Sequence, residues 1–232
     1  MPPLMVSRRP ADEREVDVEL RYVATIAIVA IALLMVFVPE RFANHPRWLV
    51  PAVAVLLAVV VLWASRNPHG ADDRRHRLLR VLSLVLIGVL SVANAVTGAR
   101  LVGLLVQGKV GDASVLLLAG GTVWLTNVIV FALWYWELDR GGPLLRWQKP
   151  WQEHRAECDF LFPQMDKSDF APERWRPEFV DYLYLSFTNA TAFSPTDVMP
   201  LSRWAKLAMM LQSALSIVII LLVVARAVNI LK

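Results

Sequence analysis

The sequence predicts an all-α integral membrane protein with six transmembrane helices, of which the fifth is short and possibly re-entrant. Of the 232 residues, 56% are hydrophobic and only 19% are charged. The apolar residues form long blocks and do not recur at the spacing of a soluble helix or strand core. Most blocks approach the roughly 20 residues that a helix needs to cross a bilayer, where it satisfies its own backbone polar groups.

The apolar blocks set the domain organisation. Five blocks are clear, namely Tyr22–Val38, Trp48–Ala64, Leu78–Val96, Ser114–Trp136 and Ala205–Val228. A sixth block, Phe179–Ser194, precedes the last of these and is shorter and more polar, so it either crosses as a short fifth helix or re-enters. The predicted regions are an N-terminal segment (1–21), a four-helix region (22–136), a polar insert (137–178) and a C-terminal helix pair (179–232).

Basic residues predict the orientation. The head and the second loop carry most of them, as Arg8, Arg9, Arg14, Arg21, Arg66, Arg74, Arg75, Arg77 and Arg80. The first and third loops carry two basic residues each, so the positive-inside rule places the head and second loop in the cytoplasm. Six crossings then leave both termini cytoplasmic. Anionic lipid headgroups explain these arginines, and we expect no nucleic-acid partner.

The polar insert is expected to fold against the membrane surface. It mixes both charge signs with many aromatic residues, which is typical of a collar and not of a free linker. Arg140-Gly141-Gly142-Pro143 predicts a tight turn past a helix end. Most tryptophans stand at span ends, where the headgroup region favours them, and Trp124 lacks that explanation.

No sequence motif predicts an enzyme. Cys158 is the only cysteine, and the four histidines are dispersed over loops. Metalloprotease, nucleophile-elbow, phosphate-loop and dinucleotide motifs are lacking from the sequence. We therefore expect no catalytic residue, no cofactor and no resident metal.

A hydroxyl-rich stretch before the last apolar block is the main functional signal. Tyr182–Lys206, "YLYLSFTNATAFSPTDVMPLSRWAK", resembles the pore helix, filter and outer mouth of tetrameric potassium channels. The matching residue types are at Ser186, Ala190, Thr191, Asp197, Pro200 and Trp204. This resemblance implies an oligomeric pore with a long inner helix after the filter.

The filter itself departs from the channel pattern. Channels place T-V-G-Y-G after the pore helix, because its stacked carbonyls need glycine at positive φ. Here Ala192–Thr196 has no glycine, so a conventional potassium filter is not expected. A pore loop dipping from outside would also place the arginines of the head and second loop outside, which favours a short tilted span.

A second resemblance covers about the last seventy residues. "LFPQ" at Leu161–Gln164, "DYLYLSF" and the terminal "LLVVARAVNIL" resemble a poorly characterised family of bacterial inner-membrane proteins of unknown function. The resemblance implies a multi-pass protein of the bacterial inner membrane and no particular activity.

Two functional hypotheses follow. In the first, a homo-oligomer conducts an ion such as a monovalent cation along a polar path, with Asp197 at its mouth. The path residues would be Ser186, Thr188, Asn189, Thr191, Ser194, Thr196, Asp197 and Gln212. In the second, the chain is a non-conducting structural or accessory protein in which these residues only pack and cap helices. A transporter is a weaker alternative, because the two halves show no inverted repeat.

Overall fold

The computed structural model describes residues 24–39, 42, 48–64, 73–148, 158–166, 175–191 and 197–231. The helices are α1 Ala24–Val36, α2 Leu49–Ala64, α3 Asp73–Val106, α4 Ala113–Leu138, α5 Pro143–Gln148, α6 Pro163–Asp166, α7 Phe179–Thr191 and α8 Arg203–Leu231. A 3-10 turn, Asp139–Gly141, follows α4. The short strands β1 (Phe160–Leu161) and β2 (Met199–Pro200) pair antiparallel.

Three described helices are long and apolar enough to cross a membrane, judged by length and composition. Their apolar segments are Arg80–Val106, Ala113–Gly141 and Arg203–Ile230. The chain is thus a mostly helical protein with three helices long and apolar enough to span a membrane, whereas the six expected crossings are not confirmed. Helices α1 and α2 are shorter, at 13 and 16 residues, and pack against each other.

Helix α4 is the centre of the bundle, because it contacts α1, α3, α7 and α8. Its residues from Thr126 to Glu137 are nearly all buried. The helix begins where the Asp112 carboxylate accepts hydrogen bonds from two backbone amides of the first turn. Gly120 lets α8 approach, since a Cβ there would lie 2.6 Å from Val223 Cγ2.

Contacts along α4 give the direction of each neighbour. Helix α3 is antiparallel to α4, as the pairs Ser91–Trp134 and Asn94–Val123 show. Helix α8 is also antiparallel to α4, through the pairs Gln212–Tyr135, Ser216–Asn127 and Val223–Gly120. Helix α7 is antiparallel to α4 as well, through Tyr182–Asp139, Ser186–Val128 and Phe187–Trp124. Consequently α7 and α8 run parallel to each other.

This parallel arrangement places the starts of α7 and α8 at one end of the bundle. Both α7 and α8 begin beside the C-terminus of α4, and the chain has returned there by Met199, where β2 pairs with β1. With 13 residues, α7 is about 20 Å long, well short of the roughly 30 Å hydrocarbon thickness. The two starts at one end of the bundle favour the re-entrant one of the two sequence alternatives for this block, and neither alternative is confirmed.

The bundle therefore has two distinct ends. The collar end holds the C-terminus of α4 and the starts of α3, α7 and α8, and Arg80 of α3 lies beside Gly142 there. The loop end holds the α3–α4 connection and the end of α8. There Arg226 Nη2 donates to the carbonyls of Gly108 and Val110, each at 3.2 Å.

Candidate functional site

Three of the predicted path residues, Ser186, Asn189 and Gln212, meet at the interface of α4, α7 and α8. The Gln212 side chain is fully buried and makes four hydrogen bonds. Its Oε1 accepts from Tyr135 Oη at 2.7 Å and from Asn189 Nδ2 at 2.8 Å. Its Nε2 donates to the carbonyl and the hydroxyl of Ser186 at 2.9 and 2.7 Å. An amide has two donors and two main acceptor positions, so every hydrogen-bonding position of Gln212 is used.

Ser186 and Asn189 extend this Gln212 network to the neighbouring helices. Ser186 Oγ donates to the Val128 carbonyl of α4 at 2.6 Å. Asn189 Nδ2 also donates to the Met209 carbonyl. The backbone carbonyl and the side-chain Oδ1 of Asn189 accept from Ser213 Oγ at 3.0 and 3.1 Å. About two helical turns before Tyr135 on α4, Asn127 Nδ2 donates to Ser216 Oγ at 3.1 Å. These bonds fix the position of α7 against α4 and α8.

The other described site residues, Thr188, Thr191 and Asp197, lie apart from the Gln212 network. Thr188 Oγ1 donates to the Tyr184 carbonyl of its own helix at 2.9 Å. Thr191 Oγ1 donates to the Thr188 carbonyl, also at 2.9 Å. Asp197 is exposed and lies two residues before β2. Ser194 and Thr196 are outside the described residues, as is the whole filter-matching stretch 192–196. The structure thus brings Ser186, Asn189 and Gln212 together and leaves Thr188, Thr191 and Asp197 outside their network.

An aromatic layer covers the Gln212 network at the collar end. The ring of Phe160, on β1, contacts the rings of Tyr135, Tyr182 and Trp204 edge-on, with centroid separations of 5.2 to 6.4 Å. Phe162 packs against Tyr182 in the same way at 5.3 Å. Both phenylalanines are almost completely buried. The described part of the insert therefore packs onto α4, α7 and α8 as a cap.

A cluster of charged residues lies on top of the aromatic layer. Asp139 is fully buried, and its Oδ2 accepts from Tyr182 Oη at 2.6 Å and from Arg140 Nε at 3.2 Å. Its Oδ1 accepts from the Asp159 backbone amide at 3.1 Å. The Asp159 carboxylate in turn accepts from Trp204 Nε1 at 2.7 Å and from the Arg140 amide at 3.2 Å. This Asp139 cluster joins α4, β1, α7 and α8.

The Asp139 cluster also holds the turn after α4. The expected Arg-Gly-Gly turn is present, with φ of +48°, +79° and +103° at Arg140, Gly141 and Gly142. A left-handed conformation at a residue other than glycine costs of order 1–3 kcal/mol. The bonds from Arg140 to the two aspartates offset that cost. The buried Arg146 guanidinium satisfies the last carbonyls of the helix, donating to Trp136 and Asp139 at 2.6 and 2.8 Å.

The Gln212 network and the Asp139 cluster differ in the role that their chemistry allows. The Gln212 network is neutral, buried and fully bonded to protein, so it positions helices and does not present polar atoms to a passing ion. The Asp139 cluster balances two carboxylates against the Arg140 and Arg146 guanidinium groups, and Arg146 also stacks 5.0 Å over the Tyr182 ring. It joins the insert to the helices.

Sequence reasoning missed the Asp139 cluster. Trp204 was assigned to the interfacial belt, but its indole N–H binds Asp159. The available signal was the "DFLFPQ" run itself, because its aspartate and aromatic residues are the ones that contact the helix ends. Trp124, which the belt did not explain, packs edge-on against Phe187 of α7 at 5.7 Å.

Comparison with known proteins adds no assignment to this geometry. No protein-family model, curated protein or solved structure matches the chain. The functional conclusion rests on the half-helix α7, the network that positions it and the cluster that fixes its start.

Proposed function

We propose that the protein is a channel-like membrane protein in which α7 is the re-entrant pore helix of a homo-oligomer. The observation that carries this proposal is the parallel arrangement of α7 and α8, in which a half-helix and a long helix begin at one end of the bundle. Non-helical chain at membrane depth is tolerated only where protein buries it or where it lines a water-filled cavity. A half-helix is therefore typical of a conduit or a substrate site.

The direction of α7 favours a cation. Its C-terminus points into the bundle, and a helix C-terminus carries about half a negative charge on its unpaired carbonyls. The exposed Asp197 adds a carboxylate near the collar end, where β2 begins. Acidic side chains at a pore mouth attract cations. We assign a monovalent cation as the permeant ion.

The side of the membrane from which α7 enters differs between this proposal and the potassium-channel pattern. The collar end carries the start of α3 with Arg77 and Arg80, which the positive-inside rule assigns to the cytoplasm. The half-helix would then enter from the cytoplasmic side of a bacterial inner membrane. The arginines stay inside, so the conflict between a pore loop and the charge rule disappears. With α1, α2, α3, α4 and α8 crossing, the C-terminus lies on the opposite face from the collar, which replaces the expected cytoplasmic C-terminus.

The proposed roles of the path residues divide in two. Ser186, Asn189 and Gln212 position α7, because their polar atoms bond inside the bundle. Thr191, at the end of α7, and Asp197 are the described residues assigned to the conduit, together with Ser194 and Thr196 between them. One chain does not enclose a conduit, so several copies would surround it.

A second candidate function is a non-conducting structural or accessory protein. The specific observation in its favour is that Gln212 uses all four of its hydrogen-bonding positions inside one chain. Bonds of this kind between membrane helices serve packing alone in many proteins. The two candidates differ in whether purified protein moves ions.

Cation flux into liposomes containing the purified protein tests the proposal. We expect flux above that of empty liposomes, and we expect both Asp197→Asn and Thr191→Val to reduce it severalfold. Asp166→Asn is the matched control, because it removes the same charge from an exposed residue of α6 outside the proposed conduit. No flux from folded wild-type protein would favour the non-conducting candidate. Equal flux from all three variants would show that Thr191 and Asp197 do not line the conduit.

A further inference from the structure

Helices α3 and α4 carry buried polar side chains that neither candidate function uses. Four of them are each at most 5% exposed: Asn94, Thr97, Thr122 and Thr126. All four lie within the membrane-spanning segments. Polar side chains at this depth normally face another helix or water.

Asn94 and Thr126 each keep an oxygen without a partner. Asn94 Nδ2 donates to the Val123 carbonyl at 3.2 Å, which fixes its side chain against α4. Neither Asn94 Oδ1 nor Thr126 Oγ1 makes a hydrogen bond to a described residue, and both atoms are buried. A hydroxyl or amide oxygen buried without a partner costs about 1–3 kcal/mol, so such atoms are rare in native structures.

The Asn94 side chain meets α4 within one helical turn of Thr126. Thr126 follows Val123 by one turn, which places the two Cβ atoms about 5–6 Å apart. Val123 faces α3, since its Cγ1 would lie 3.3 Å from a Cβ at Gly98. The Asn94 amide is bonded to the Val123 carbonyl, so it reaches the turn of α4 that carries Thr126.

We propose that the α3–α4 interface binds a buried water molecule that bridges Asn94 Oδ1 and Thr126 Oγ1. The water donates to Asn94 Oδ1 and makes a second hydrogen bond with the Thr126 hydroxyl. These two bonds lie within the two to four that buried waters usually make. Two neutral oxygens suit water and do not suit a divalent cation, which takes about six oxygen ligands.

Thermal unfolding of the purified protein tests this site by the direction in which one substitution shifts the unfolding midpoint. Thr126→Val keeps the shape and removes the hydroxyl. If the hydroxyl binds a bridging water, we expect the unfolding midpoint to fall by about 2–4 °C, the shift typical of a lost hydrogen bond in a chain of this size. If the hydroxyl is simply unpaired, its removal relieves a cost, and an unchanged or higher midpoint would overturn the proposal.

A double-mutant cycle tests that the two side chains share the water. Thr126→Val and Asn94→Ala together should lower the midpoint by less than the sum of their separate effects, because either one releases the same molecule. Thr126→Val with Ser91→Ala is the control, since Ser91 bonds to Trp134 and lies elsewhere on α3. Additive effects in both cycles would contradict a shared water. If Asn94→Ala does not fold, the sign of the Thr126→Val shift decides the question alone.

Discussion

Asp139→Leu is expected to destabilise the protein by about 3–5 kcal/mol, the range found when one partner of a buried charged pair is removed. The substitution leaves the Tyr182 hydroxyl, the Arg140 guanidinium and the Asp159 amide without their acceptor. It also releases the left-handed turn at Arg140. Denaturant unfolding in detergent, followed by circular dichroism, measures the effect.

Two further variants separate the buried site from a general loss of charge. Asp139→Asn keeps the shape but has only one carbonyl oxygen for donors that reach both carboxylate oxygens, so we expect an intermediate loss. Asp166→Leu makes the same change at an exposed residue of α6 and should cost well under 1 kcal/mol. Equal effects at Asp139 and Asp166 would show that the cluster does not stabilise the fold.

Gln212→Leu is expected to lower the free energy of unfolding by about 2 kcal/mol, within the 1–3 kcal/mol that an orphaned buried group costs. Leucine fills a similar volume but leaves Tyr135 Oη and Asn189 Nδ2 facing an apolar side chain. Single interhelical bonds in membranes contribute less than 1 kcal/mol on average, so the effect needs the loss of several bonds. Unfolding midpoints and limited proteolysis of the α7–α8 region measure it.

Asn229→Leu is the matched control for Gln212→Leu. Asn229 lies on the same helix but is exposed, so its replacement should change stability little. If Gln212→Leu proves as stable as wild type, the Gln212 network does not position α7. The amide would then be available to line a polar path, which would favour the original assignment of Gln212 to the conduit.

Sequence reasoning anticipated the membrane-spanning character of the chain but not the direction of α7. Hydropathy and length identify Leu78–Val96, Ser114–Trp136 and Ala205–Val228, each of which falls within a long helix of the structure. A polar block of 13 to 16 residues is intermediate between a full and a half span, so length does not decide its path. The charge argument rejected re-entry because it assumed entry from outside.

Other parts of the site depend on contacts that local patterns do not encode. Ser186, Asn189 and Gln212 stood out as polar residues in apolar blocks, but their mutual bonds join positions more than twenty residues apart. Asp139 and Asp159 are 20 residues apart and Asp159 and Trp204 are 45 apart, and all three look like ordinary turn or interface residues. Their pairing appears only once α7 and α8 are known to begin at one end of the bundle.

Cysteine accessibility gives the most direct test of that arrangement. In a Cys158→Ser background, which removes the only native cysteine, single cysteines would be placed at three exposed positions: Glu178, Arg203 and Asn229. Each variant would be labelled with a membrane-impermeant maleimide in sealed vesicles of known orientation. The account predicts that positions 178 and 203 react from one face and position 229 from the other. Labelling of positions 178 and 203 from opposite faces would mean that α7 crosses the membrane, and the half-helix that carries the proposed function would not exist.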